Sequence, residues 1–427
     1  MRDKINFSEK QKLVNRMMLL SIFIDQMNVF EVPMISVFIR STFIHNSYLF
    51  GISTGAIIGG ASIGSILGGI LSDRIGRKPV YVMDIIIFIL TSIGSAFAPN
   101  VTIFIFFRFV AGIAVGADLA NCYCFIMDNN EPRKREITAT KNTLMASFSI
   151  LAINISVLFM ILYGTSSSLM WRVVLLLPVA PAILSLILSF KISDVFDFKI
   201  GVENPFQLRG YWKYMKSDTT RWRTTVFSWI SGISSSIEVG TFAFFLPLII
   251  NNFSIQSLYQ QRLLIIFIYS FGVPAGYLGP RFLPKLGLRK ISYIGYFFAT
   301  LAIIGTGVSI YYRLYLAVPF FMILFVWGNH WNSQSTLPSQ SLVVNMKYRG
   351  TATGVSNFIS EVPEFMSISV FPAAIAYLGL SYSTLIISVA PIIGFLASIF
   401  VFKEIYGYRH DLLNTSMRTD MGIQVES

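Results

Sequence analysis

Charge is scarce in this sequence, and so are the residues of metal and redox chemistry. Asp, Glu, Lys and Arg together make up 13% of the 427 residues, about half the ~25% of an ordinary soluble domain. A soluble chain that is 54% hydrophobic could not hide its apolar surface and still show water a polar exterior. The three histidines, His45, His330 and His410, stand in separate regions. That leaves no metal-ligand spacing, and no nucleophile with a base for a membrane-embedded enzyme. The two cysteines, Cys122 and Cys124, lie two apart in one apolar run, where a helix points them to different sides. They are expected as packing residues rather than as a disulfide or metal pair. No cofactor, no metal and no enzymatic activity are expected.

What the sequence has in quantity is apolar runs long enough to cross a bilayer. Twelve are predicted, at 13–40, 48–72, 79–98, 101–127, 138–163, 171–192, 222–250, 260–283, 289–309, 314–344, 350–378 and 381–403. The first is of full spanning length, carries Asp25 and follows a polar, basic segment, so it reads as a span and not as a cleavable signal peptide. Most interruptions are short and rich in Gly, Pro, Asn or Ser, such as Ala98-Pro99-Asn100. A longer polar segment after the sixth run divides the chain. The expected organisation is an all-α integral membrane protein with twelve transmembrane helices. Residues 1–192 form an N-terminal six-helix half, 193–221 a cytoplasmic central loop, 222–403 a C-terminal six-helix half and 404–427 a cytoplasmic tail.

The net charge of +12 invites a nucleic-acid partner, but the placement of the cations argues against one. With twelve spans, 28 of the 33 Lys and Arg fall on one side together with both termini; Arg40, Arg108, Arg172, Arg262 and Arg313 lie opposite or within spans. This asymmetry is the positive-inside signal, and it places both termini in the cytoplasm. The basic excess is a topology device, and the expected partner is the lipid bilayer.

Between the second and third spans runs Gly68-Gly69-Ile70-Leu71-Ser72-Asp73-Arg74-Ile75-Gly76-Arg77-Lys78-Pro79. Upstream, Gly51, Gly55, Gly59, Gly60 and Gly64 continue a small-residue pattern that lets helices approach closely in lipid. This stretch resembles the signature loop of the major facilitator superfamily. The resemblance implies two pseudo-symmetric halves that rock about a central solute site. It also implies a conformational latch at Gly69, Asp73, Arg74, Gly76, Arg77 and Lys78, with Asp73 reaching the start of the eleventh span near Tyr348 to Thr351. An eroded copy follows the eighth span, Lys285-Leu286-Gly287-Leu288-Arg289-Lys290, with Lys285 at the acidic position.

Span four, from Arg108 to Asp118, and Asp25-Gln26-Met27-Asn28 in span one are similar to the phosphate, organic-acid and sugar:proton symporter branches. That likeness implies proton-coupling roles for Asp25, Asp118 and Glu238. Where the phosphate branch has a binding Lys in span eleven, this chain has Glu361; its Gln and Trp fall near Ala146 and Ser234. The coupling acids are kept and the anion-binding groups are lost.

Asp25, Glu31, Asp118, Glu238, Glu361 and Glu364 all fall within apolar spans, where each costs about 3 kcal/mol at a helix centre, so they should face a cavity, a partner or one another. Arg108 is the basic group expected at mid-depth. Six carboxyls and one arginine cannot all be ionised and paired, which supplies the exchangeable protons a coupled carrier needs. Span ten carries Trp327-Gly328-Asn329-His330-Trp331-Asn332-Ser333-Gln334-Ser335-Thr336, a polar run expected to line a wet cavity, with Ser333 and Ser335 assigned to helix–helix hydrogen bonds. The substrate cavity is therefore expected at Asn28, Arg108, Asn329, His330, Trp331, Asn332 and Glu361. An acid-rich, aromatic cavity suits a cationic or neutral polar solute. The expected protein is a monomeric, proton-coupled symporter of a small organic solute in the cell membrane. The competing readings are an organic-anion or phosphate symporter, a proton/drug antiporter, an uncoupled uniporter, and a transporter-like sensor. A sensor would signal through a sizeable extension, whereas 24 residues follow Lys403; span five lacks the proline of the drug-antiporter signature.

Overall fold

The computed structural model describes residues 7–130, 132–190, 208–251, 257–344 and 346–406. Every regular element among them is helical. Ten helices are long and apolar enough to cross a membrane. One of these, Leu258–Tyr311, has 54 residues and would be about 80 Å long if straight, far more than a bilayer core of about 30 Å. It breaks at Gly287 (φ 77°, ψ 165°) and supplies two crossings. Val318–Val343 has the length, and it holds the polar run. The count is therefore twelve, and an even number returns the chain to its starting face.

Spans 1 to 6 are Phe7–Met34 continued by Ser36–Thr42, Ser47–Ile75, Arg77–Ala96, Val101–Asn129, Asn142–Leu162, and Ser167–Leu176 with Val179–Ser189. Spans 7 and 8 are Thr219–Glu238 with Leu246–Asn251, and Leu258–Ser270 continued into Gly272–Tyr311, whose second part is span 9. Spans 10 to 12 are Val318–Val343, Met346–Leu378, and Leu380–Ile387 with Val389–Phe400. Side-chain caps start several of them. Asn46 accepts from the amides of Tyr48 and Leu49, Asn100 from Ile103, and Asp218 from Thr220. The segment expected as a loop over 193–221 carries a helix, Leu208–Lys216, and its remainder to residue 207 lies outside the described residues, as does the tail beyond Tyr406.

The glycines of span 2 serve two contacts. A side chain at Gly60, Gly64 or Gly68 would strike the backbone of span 4 at Phe109, Ile113 or Ala117. One at Gly51 or Gly69 would strike span 11 at Ser369 or Gly350. Span 2 is thus wedged between its own half and the other, and packs on span 11 from Gly51 to Gly69. Gly76 (φ 97°, ψ 165°) turns the chain between spans 2 and 3 as Gly287 does between spans 8 and 9. Counting back three residues from each glycine puts Pro284, not Lys285, in the register of Asp73. The conclusion that the second loop lacks the acid is unchanged.

Several topology cations also finish helices. Arg223 donates to the carbonyls of Val401 and Phe400, and Arg289 to those of Ser398 and Ile399. Both satisfy the open carbonyl end of span 12, where the helix dipole is negative.

Candidate functional site

A cavity of about 190 Å³ lies on the seam between the halves. Its N-terminal wall is mainly apolar: Val29, Phe30, Ile58, Ala61, Val115, Leu119, Ala146 and Ile150, with Gln26, Tyr123, Asn142 and Thr143 as its polar members. Its C-terminal wall is mainly polar. It presents serines of spans 7 and 11, Tyr269, Asn329, His330, Ser333, Thr336, Asn357, Glu361 and Glu364. Among the described residues, the cavity is lined by two carboxyls and by no Lys or Arg.

Span ten explains half of its polar run through the cavity. Asn329, His330, Ser333 and Thr336 share one helical face and line it. Of the others, Ser335 donates back to the Asn332 carbonyl of its own helix at 3.0 Å, which corrects its expected helix–helix bond, and three turn to neighbouring helices. Asn332 donates to Glu238 at 3.2 Å, the Trp331 indole to the Ala275 carbonyl at 3.3 Å, and Gln334 to Thr143 across the seam at 3.4 Å. The expectation that Trp331 and Asn332 line the cavity is therefore corrected, and so is that of Ser333 as a helix–helix residue. Nδ1 of His330 lies 2.7 Å from the Val326 carbonyl, which requires a proton there. A neutral ring then accepts from Ser147 of span 5 through Nε2, at 2.6 Å. This bond too crosses the seam. Glu361 accepts from Ser65 of span 2 at 3.2 Å.

Asn28 and Arg108 are also corrected as cavity residues. Both are buried behind the N-terminal wall. Arg108 pairs with Glu31 and donates to the Asn28 carbonyl, so a buried ion pair joins spans 1 and 4. Asp25 and Asp118 are sealed in the same half, away from the cavity. Asp118 accepts from Ser21 and from the Cys122 thiol. Asp25 turns toward Asp118 and Asp84, and neither of its oxygens has a donor. Glu238 is fully buried between spans 7 and 10; its Oε2 takes the Asn332 bond and its Oε1 has none. Among the described residues no cluster of His, Cys, Asp and Glu could hold a metal ion.

The loop at residues 73–78 ties the halves together. Asp73 Oδ1 pairs with Arg77 at 2.9 Å, and Oδ2 accepts from the backbone amide and hydroxyl of Thr351 at 2.9 and 3.1 Å. Thr351 lies in the second turn of span 11, so the carboxylate of one half is held by a backbone amide and a hydroxyl of the other. Gly69 and Gly350 allow the backbones to meet there. Arg77 also donates to Ser72, and its carbonyl accepts from Asn121 of span 4. Arg74 is exposed and Lys78 half-buried on that face.

Two buried charged groups, Asp84 and Arg262, are given no site role by the sequence, and Glu31 and Glu364 are singled out there without a definite partner. Asp84 was an acid in plain sight within the third apolar run. Glu364, on the same helix as Glu361, lines the cavity. Glu31 is the partner of Arg108. Arg262 is a buried cation of the C-terminal half, 4% exposed. The signal for each was a charge inside an apolar run; which neighbour it meets is not written in one helix.

The family model described as Major Facilitator Superfamily matches residues 18–367. The major myo-inositol transporter IolT of Bacillus subtilis is 33% identical over 139 residues, 32% of this chain and 29% of that protein. The gentisate transporter of Corynebacterium glutamicum is 30% identical over 133 residues, 31% of this chain and 30% of that protein. The matches thus span under a third of these relatives' length. The proton:xylose symporter XylE from E. coli, solved with 6-bromo-6-deoxy-D-glucose, superposes with a TM-score of 0.79 at 16% identity, covering 94% of this chain and 98% of the other.

Proposed function

Because the chain belongs to the Major Facilitator Superfamily, and is a membrane transporter and not an enzyme, we propose that it is a proton-coupled symporter of a small cationic or neutral polar solute. The observation that carries this reading is the seam cavity with Glu361 and Glu364 in its wall and no cation to balance them. A neutral polyol finds hydroxyl and amide partners there, and an ammonium finds two carboxyls. A carboxylate solute finds neither Lys nor Arg.

Proton coupling is assigned to the acids behind the walls. Asp25, Asp118 and Glu238 are fully buried without a cation at hydrogen-bond distance. Each is expensive to keep charged there, so a proton gained or lost changes the balance between outward- and inward-facing states. The Glu31–Arg108 pair adds a fourth such group, because protonating Glu31 dissolves the tie between spans 1 and 4. Asp73 serves as the latch on its face, with Gly69, Gly76, Arg74, Arg77 and Lys78 shaping the loop. The cation-rich face and both termini are assigned to the cytoplasm of the cell membrane, and one chain suffices for the cycle.

The test is a thermal-shift ligand screen of the purified protein at pH 5.5 and 8. Binding to the native state raises its stability by about 3 kcal/mol at a hundredfold excess over Kd. Stabilisation by myo-inositol, xylose or organic amines, changing with pH, is expected. Stabilisation by gentisate or phosphate and not by these would overturn the reading in favour of an anion symporter.

A further inference from the structure

On the face opposite the 73–78 loop, near the start of span 8, Arg262 is buried and points out of its own half. Its Nη1 donates to the carbonyl of Met34 at 3.0 Å and to Oδ1 of Asn154 at 2.5 Å, and its guanidinium lies 5.7 Å from the centre of the Phe38 ring. All three partners belong to the N-terminal half. Met34 is the last residue of the helix Phe7–Met34, so its carbonyl lies at the negative end of a helix dipole. Asn154 gives its own amide hydrogen to the Ile150 carbonyl at 2.7 Å, which leaves its oxygen aimed at the arginine. Around this tie the same face is closed by apolar contacts, Phe30 against Phe244 and Phe50 against Phe245.

We infer that Arg262 is a second latch, a gating residue that holds the halves together on the face opposite Asp73 and lets go when that face opens. The two ties are chemical inverses. Asp73, from the N-terminal half, places an anion on the amide and hydroxyl of Thr351 in span 11. Arg262, from the C-terminal half, places a cation on the carbonyl end of the first helix. Each takes neutral backbone and side-chain groups as its partners across the seam, so neither needs a charged side chain opposite. Among the described residues both acceptors of Arg262 are neutral oxygens, and a buried guanidinium held by these regains water when the face parts. That keeps the latch weak enough to break in every cycle. The inference rests on alternating access, but not on any particular solute or on proton coupling.

The experiment measures distances by pulsed EPR in the full chain reconstituted in bilayers. One spin-label pair goes at exposed Tyr48 and Tyr259 on the Arg262 face, the other at exposed Ile75 and Lys290 on the loop face. Cys122 and Cys124 are buried, so labels go to the introduced sites. Arg262→Ala and Arg262→Gln should raise the open-to-closed ratio at the 48/259 pair at least about tenfold, the effect of losing one hydrogen bond to a charged group. The 75/290 pair should stay unchanged or shorten. Arg262→Lys and Asn154→Ala should give smaller shifts in the same direction. Wild-type distances at 48/259 in Arg262→Gln, or equal broadening of both pairs, would overturn the inference. If the alanine and glutamine variants do not fold, Arg262→Lys and Asn154→Ala decide: no opening at 48/259 in either defeats it.

Discussion

The two halves share a chain plan but put their charge in different places. The N-terminal half locks Asp25, Glu31, Asp84, Asp118 and Arg108 inside itself, behind an apolar wall. The C-terminal half puts two of its acids, Glu361 and Glu364, on the cavity, among serines, Asn329 and His330. Glu238 it keeps out of sight, as it does Arg262. In lipid, a buried charge that contacts no solute still costs free energy, so its retention calls for a job other than binding. The contrast suggests a division of labour: the C-terminal wall selects the solute, and the N-terminal interior stores the protons and strain that drive the cycle.

The harshest way to break this division is to unbalance the N-terminal interior. Arg108→Met leaves Glu31 buried without its partner, and breaking such a pair costs about 3–5 kcal/mol. A marked fall in melting temperature is expected, largely restored when Glu31→Gln is added in the same chain. If Arg108→Met melts no lower than Glu361→Gln, the interior pair is not what holds spans 1 and 4 together. Asp118→Asn is gentler on the fold, because the amide keeps a hydrogen-bonding oxygen for Ser21. Uptake driven by a pH gradient should fall to background while exchange of solute across the membrane stays measurable. Intact gradient-driven uptake in liposomes would remove Asp118 from coupling.

Much of this arrangement could be read from the sequence, and the failures have one cause. The twelve spans follow from run length, and the 73–78 loop from residue types whose spacing tolerates little variation. Asn329, His330 and Glu361 were legible because polarity inside an apolar run needs a wet neighbour. The same logic placed Arg108 and Asn28 in the cavity, where they are not. A charge in a span satisfies it equally well by meeting another charge, and Glu31 meets Arg108 only because spans 1 and 4 pack at that depth. Likewise the small residues of span 2 announced close packing, but not that one stripe faces span 4 and another span 11. Helix period gives the direction of a side chain within a helix; only the packing gives the helix it faces.

The contrast between the walls is sharpened by paired substitutions. Glu361→Gln keeps shape and removes a charge from the polar wall. For an amine solute the Kd should rise at least about tenfold, the loss of one charge-assisted bond, with native stability unchanged or raised. Val115→Ala, on the apolar wall, removes two methyl groups and should change Kd by only a few-fold. Thermal-shift titration of both variants decides the matter, and equal losses would mean that the walls do not differ in function.

The smallest effect is expected at the latch, and it tests whether the halves differ in how they hold each other. Asp73→Asn retains an oxygen for the Thr351 amide and hydroxyl, but loses the ion pair with Arg77 and the negative charge on that oxygen. The Asp73–Arg77 pair is largely buried but lies within the N-terminal half, so its loss weighs on stability and not on the seam, where exchanging a carboxylate's hydrogen bonds for those of an amide costs about 1 kcal/mol. The equilibrium should therefore shift only a few-fold toward opening on that face, read as faster labelling of a single engineered cysteine on the cavity wall from the side of the 73–78 loop. The second loop offers a control, because Glu404 already serves span 9 there. Its carboxylate accepts from the amides of Leu288 and Arg289 at 2.9 and 3.1 Å, wholly within the C-terminal half. Glu404→Gln likewise exchanges a carboxylate's hydrogen bonds for those of an amide, without touching the seam. It should lower stability by a similar small amount and leave cysteine labelling unchanged. Labelling that responds equally to both variants would show that loop-face opening tracks general loosening of helix ends, and the asymmetry between Asp73 and Pro284 would then carry no mechanical meaning.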